Sequence, residues 1–292
     1  MDWKKYEEGS GWDIPFDRKS PIPFVKHCRK PAVTAENYSD LYQLSSDLTV
    51  QEKRSAYAKY FALGPACPTE ENLRATELGA ALDPTAGFLI EDYVKHMDVP
   101  GCCSLKTGYC TLPNGVGFAA TTVTAPGIRA EVMAHFIEHF NPPEDLYYKI
   151  WYPGAHFRHY EASAVEDVGH GMEYLQFVEG LDAEKIGMPI PGHKDPYCIG
   201  ITGANILARP LHAPESEPVY MAELCYYRQM EDCYETRVNF WIGMHFKDGA
   251  SRLHLPQGKP VSELFSSALA RHSVWETTTF MRNVLEFWRD CQ

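Results

Sequence analysis

No CxxC pair occurs in the sequence, although it holds nine cysteines. Without thiolates at that spacing, a cysteine-built structural zinc site is not expected. The cysteine count is odd and the residues are scattered, which points to reduced thiols rather than a disulfide framework. The opening stretch MDWKKYEEGSGWDIPF lacks the apolar core of a secretory signal, so a cytoplasmic protein is expected. No run of about 18 apolar residues is present, and no membrane-spanning helix is predicted. Basic side chains are also short: 27 Lys and Arg stand against 39 Asp and Glu, a net charge of −12. That balance disfavours nucleic acid or an anionic membrane as the main partner and fits a neutral or hydrophobic small molecule better.

What is present suits a soluble globular protein. The 292 residues are 45% hydrophobic, enough for one large domain with an elaboration or for two domains. The character of the chain changes at Pro100-Gly101. Before it, residues up to about Val33 carry Pro15, Pro21, Pro23 and Pro31 among charges and read as an extended arm over a body or a second subunit. From Thr34 to Lys95 the signals are helical, with Ala58, Phe61 and Leu63 followed by good helix formers from Glu70 to Leu82. Residues 1–100 are thus an N-terminal arm and helical region, and residues 101–292 a second unit.

That second unit is rich in strand signals. The turn Pro113-Asn114-Gly115 precedes GFAATTVT, and further strands are predicted at LYYKIWYP, EASAVEDV, MEYLQFVE, YCIGITGANIL, VYMAELCYYRQM and TRVNFWIGMHF. Between GFAATTVT and LYYKIWYP, Ala130 to Phe140 has the spacing of a helix. Val132, Phe136 and Phe140 recur at four-residue steps, and His135 and His139 lie one turn apart on the neighbouring face. Asn141-Pro142-Pro143 ends it. A long helix then starts at Ser262, a good N-cap, and runs to about Asp290 with no internal proline or glycine. An α+β, helix-grip (START-like) fold is predicted: an antiparallel sheet around a long C-terminal helix, enclosing a cavity that suits a ligand.

On a wheel of about 100° per residue, Phe265, Ala268, Leu269, Thr279, Phe280 and Phe287 form one stripe of the final helix, with His272 and Glu276 in its middle. An ionised carboxylate in an apolar stripe is costly unless paired or metal-bound. Two readings therefore stand together, a His–Glu hydrogen-bonded pair and a metal site. The latter needs further ligands, for which His135, His139 and Glu166 are candidates. Glu166 and its neighbour Asp167 should point to opposite faces of a strand. Imidazoles and carboxylates in a distorted tetrahedral set fit Zn²⁺ best. His212, on the proline-rich loop RPLHAPESEP, could donate or accept a proton or simply be solvated. His156 and His159 read as loop residues, and His193, His245 and His254 as structural or exposed.

The segments TGYCTLPNGVGFAATTVTAPGIRAEVMAHFIEH and DLYYKIWYPGAHF, the EDVG around Glu166, and His272-Ser-Val-Trp-Glu276 together resemble the phloretin hydrolase and 2,4-diacetylphloroglucinol hydrolase family, from about Gly101 to Trp288. The resemblance implies a zinc-dependent hydrolase acting on carbon–carbon bonds in ketonic substances. Its substrate would be a small aromatic acyl ketone, cleaved between the acyl group and a polyhydroxylated ring. A smaller N-terminal region would serve a homodimer. By position it implies zinc ligands at His135, Glu166, His272 and Glu276, with His212 as a catalytic histidine. The chain departs from the family in offering two histidines on the first-ligand helix; the separation from Glu166 favours His135 as ligand, leaving His139 to line the cavity as a proton carrier. Two rivals share the fold: a non-catalytic carrier of hydrophobic ligands, and a metal-dependent retro-Claisen or cyclase enzyme acting on another polyketide.

Overall fold

Thr49 and Glu52 cap each other's backbone amides and start a short helix, α1 (Val50–Lys53), by the reciprocal pattern of a capping box. The structure is a computed structural model that describes residues 47–97, 106–160, 164–169, 172–180, 195–210 and 217–292, with the backbone alone at 144, 157–160, 164–169, 172–180, 209 and 210. The proline-rich arm read at residues 1–33 lies outside them. Helices α2 (Ala58–Ala62), α3 (Glu70–Ala75) and α4 (Tyr93–Met97) follow. The helix expected from Glu70 to Leu82 stops at Ala75. There the Thr76 hydroxyl donates back to the carbonyls of Asn72 and Leu73, and Gly79 takes a φ of 91° that ends the helical path.

Beyond residue 106 come β1 (Gly108–Thr111), β2 (Gly117–Pro126), α5 (Ala130–His139) and α6 (Glu144–Trp151). Strands β3 (His156–Tyr160), β4 (Ala164–Gly169), β5 (Met172–Gly180), β6 (Cys198–Pro210), β7 (Val219–Gln229) and β8 (Cys233–Ile242) complete the main sheet. A hairpin of β9 (Met244–Lys247) and β10 (Ala250–Leu253) precedes the final helix α7 (Glu263–Asp290). The main sheet is antiparallel throughout, in the order β1-β2-β8-β7-β6-β5-β4-β3.

The strand expected at LYYKIWYP is the helix α6. Its aromatic and β-branched content favours a strand, but Leu146 and Ile150 lie one helical turn apart and are both buried in the cluster with Phe136, Phe140 and Phe287. Between them Lys149 reaches Glu52, at 2.9 Å to each carboxylate oxygen. Tertiary packing thus decides the segment against its intrinsic β preference.

The two sides of the sheet are separated by strand alternation. On one, Phe118, Leu224, Tyr226 and Trp241 pack under Phe88, Ile90, Tyr93 and Met97, and the Trp241 indole donates to the Phe88 carbonyl at 2.6 Å. On the other, Ala119, Val238, Phe240 and Ile242 meet Ala270 of α7. The Ser262 hydroxyl caps α7 by accepting from the Phe265 amide. Strand β2 holds the helix through a 3.0 Å bond between the Thr121 and Ser273 hydroxyls, while α6 holds it through Asn283, whose amide donates to the Ile150 carbonyl. The sheet grips this helix between β2 and the β3–β4 edge, the helix-grip arrangement of an α+β fold. Among the described residues no helix is long and apolar enough to cross a membrane, and none of the six cysteines is in a disulfide.

Candidate metal centre

His272 and Glu276, one turn apart on α7, leave the helix on the same face. The first residue of β3, His156, meets them from the far edge of the sheet. His156 Nε2 is 3.3 Å from His272 Nε2 and 3.5 Å from Glu276 Oε2, and His272 Nε2 is 3.7 Å from the same oxygen. The three side chains are 1, 7 and 16% exposed, so water has little access to them.

Local sequence sets the His156 ring. Helix α6 ends at Tyr152-Pro153-Gly154, where Gly154 has a φ of 88°, and the amides of Ala155 and His156 both donate to the Tyr152 carbonyl at 3.1 Å. This turn swings the chain into β3. The Tyr148 carbonyl lies 3.0 Å from His156 Nδ1. A carbonyl only accepts, so Nδ1 carries the proton and Nε2 presents its lone pair toward His272 and Glu276. The Tyr148 ring stacks on the imidazole at 3.8 Å, Trp151 meets it edge-on at 5.9 Å, and Tyr152 lies 5.6 Å from it and 5.1 Å from His272.

These residues fit a divalent cation. Donors bound at about 2.0–2.2 Å around a tetrahedral centre are about 3.3–3.6 Å apart, and the three separations in the site fall close to that span. The backbone carbonyl behind His156 is the usual support for a ligating imidazole. Burial pushes the Glu276 carboxyl up to about 8, and a cation would favour its ionised form. Three protein donors leave a fourth position for water or a substrate oxygen. The group His156, His272 and Glu276 can therefore hold a metal.

The structure joins His272 and Glu276 to His156, not to His135. His135 lies on α5 with its ring 5.6 Å from Phe287 and 5.2 Å from Trp288. Those residues are eleven and twelve positions beyond Glu276, about 16–18 Å farther along the helix at 1.5 Å per residue. His139 packs edge-on to His135 at 4.5 Å and is half exposed near Glu138. Glu166 is on β4, paired in register with Arg158 and Leu175, whereas Asp167 is the partner of His156. The Glu166 side chain and all of His212 lie outside the described residues, as does His193. His156 is a strand residue rather than part of a loop; the Pro153-Gly154 turn before it, followed by alternating residues, is the signal that could have found it.

Residues 89–164, which contain His156, match the DAPG hydrolase PhiG domain family, the family that the sequence resembles, over part of the chain. Comparison with curated protein sequences gives no match. Among solved structures, a conserved protein from Geobacillus kaustophilus is similar over 58% of this chain and 95% of its own, at 7% identity and a TM-score of 0.35. The Zhui aromatase/cyclase from Streptomyces sp. R1128 is similar over 59% of this chain and 94% of its own, at 11% identity and a TM-score of 0.35.

Proposed function

We propose that this chain is a zinc-dependent hydrolase that cleaves the bond between a polyhydroxylated aromatic ring and an acyl group, on substrates of the acylphloroglucinol type. The observation that carries the reading is the convergence of His156, from the segment matching the DAPG hydrolase domain, on the His272–Glu276 pair. Two imidazoles and a carboxylate with an open position suit Zn²⁺. A carrier of hydrophobic ligands has no use for three convergent donors at these separations. Bound at this site, zinc supplies a Lewis acid for the acyl carbonyl and for water.

The chain's own groups supply the rest. Tyr148 fixes the His156 tautomer through its carbonyl and the ring plane through stacking. Tyr148, Trp151 and Tyr152 place aromatic surface beside the centre, suited to a planar phenol ring. Burial, aided by the charge of Glu276, raises the Tyr152 hydroxyl well above the usual phenol range, so it stays a hydrogen-bond donor at neutral pH. Ala119, Val238 and Phe240 pack with Ala270, two residues before His272, and form apolar surface on the sheet side of α7.

A ring bearing ortho and para hydroxyls accepts a proton at its acyl-bearing carbon. The resulting keto form behaves as a β-diketone, and addition of water to the acyl carbonyl breaks the carbon–carbon bond, giving a carboxylic acid and a phloroglucinol-type phenol. The test is metal analysis of the purified protein joined to a screen of acylphloroglucinols for acid release. About one zinc per chain and chelator-sensitive acid release are expected. Absence of acid release from every acylphloroglucinol with zinc-loaded protein, or release indifferent to chelation, would overturn the reading.

A further inference from the structure

The β9–β10 hairpin covers the face of the sheet that turns away from α7, where Met244 and Phe246 join the cluster of Phe88, Tyr93 and Trp241. Asp248 and Gly249 form its two-residue loop with φ of 55° and 79°, the left-handed pair of a type I′ turn, which fixes the register. Alternation then sends His245 and Lys247 to the side opposite Met244 and Phe246. Arg252 is the cross-strand partner of His245, and His254 follows two residues on. Four basic side chains thus gather on one face of a short hairpin.

The histidines are held by ring contacts. His254 stacks on Tyr220 of β7 at 4.3 Å and on His245 at 4.7 Å, and Tyr220 lies 5.6 Å from His245. The Gly243 amide donates to the Tyr220 carbonyl at 2.7 Å, and its carbonyl accepts from the His254 amide at 2.8 Å, so the three segments are tied together. Among the described residues neither imidazole has a hydrogen-bond partner, and His245 Nδ1 is enclosed without one. Neither Lys247 nor Arg252 forms an ion pair among those residues. The carboxylates close by in the chain or the fold are placed elsewhere. Glu91 accepts from the Ser251 amide at 2.7 Å, Asp248 sits in the turn, and Glu217 precedes β7.

A pair of histidines invites a cation, but Lys247 and Arg252 bring two fixed positive charges with no carboxylate to offset them, so a metal ion would be repelled. We propose that this face binds a small oxyanion, a carboxylate or a phosphate, through Lys247, Arg252 and the imidazoles of His245 and His254. The guanidinium offers a planar fork, the ammonium a point charge and the imidazoles N–H donors that the protein itself leaves unused. In a chain of net charge −12 the cluster is a local exception. It is too small to track a nucleic acid backbone, which takes basic groups along several successive phosphates. Burial, followed by the positive groups His254, Lys247 and Arg252, lowers the His245 pKa to about 4. A bound anion opposes the second cause and favours the imidazolium, so binding takes up protons. The site stands apart from the metal centre and does not rest on the hydrolase reading.

The test is titration of the full chain with inorganic phosphate and, separately, with acetate, at an ionic strength held constant with chloride. The imidazole NMR signals of His245 and His254 are followed together with Tm. Both signals should shift saturably and Tm should rise, and the stronger of the two probes tells phosphate from carboxylate. In the acetate titration, where the probe keeps its charge, affinity should increase as pH falls from about 8 to about 6, by at most about tenfold per pH unit for each proton taken up. Lys247→Gln and Arg252→Gln alter exposed side chains; each should weaken binding on the order of tenfold without lowering Tm in chloride alone. Histidine signals that follow neither probe beyond the effect of chloride, or shifts that survive both substitutions, would overturn the proposal.

Discussion

On the proposed zinc reading, His156→Ala should abolish the rise in stability on adding zinc, and His135→Ala should preserve it. The donors come from β3 and α7, 116 residues apart between His156 and His272, so the unfolded chain has no equivalent site and a metal held there would stabilise the fold. At a free metal concentration of 100 times Kd the gain is about 2.7 kcal/mol. For a protein of about this size, 1 kcal/mol moves Tm by about 2–4 °C, so the expected rise is about 5–11 °C. Removing His156 leaves two donors on one helix and should erase most of that rise at the same metal concentration. His135→Ala removes a ring packed against Phe287 and Trp288, so its metal-free Tm should drop while the zinc-induced rise survives. The measurement is scanning calorimetry of chelator-stripped protein across a zinc titration. A full rise in His156→Ala with none in His135→Ala would refute the assignment and return the third ligand to α5.

Tyr148→Ala removes the ring stacked on His156 and should weaken zinc binding about 10- to 100-fold without removing a ligand, as read by competition with a chromogenic chelator. Lys149 and Glu52 form an ion pair with side chains only 2 and 10% exposed; Lys149→Met alone should cost about 3–5 kcal/mol in urea unfolding, and adding Glu52→Leu should restore much of the loss. A single variant as stable as the double would disprove that account. Burial, followed by His254, Lys247 and Arg252, lowers the His245 pKa from 6.5 to about 4. Its contribution to stability is therefore complete above pH 6.5 and lost as pH falls toward 4, up to about 3 kcal/mol in all. His245→Phe should flatten that part of the stability–pH curve, and an unchanged acid limb would count against it.

Elements whose pattern is local could be read from the sequence. Ser262, the unbroken run to Asp290 and the apolar stripe specify α7, and the same periodicity places His272 and Glu276 one turn apart where a carboxylate needs a partner. Strands β2 and β4 to β8 follow from alternation and turn residues in the same way, and the resemblance to the DAPG hydrolase family is met by the match over residues 89–164. What periodicity cannot supply is the partner's identity. His135 shares the helical spacing expected of a ligand, yet α5 packs near the C-terminal end of α7, a choice made by its contacts with Phe287 and Trp288. LYYKIWYP has strand composition, but burial of Leu146 and Ile150 and pairing of Lys149 with Glu52 make it the helix that ends beside β3. His156 reaches His272 because eight strands curl far enough to bring both ends of the strand order against one helix. That curvature sums backbone twist and packing over the whole sheet, so no short window of sequence contains it.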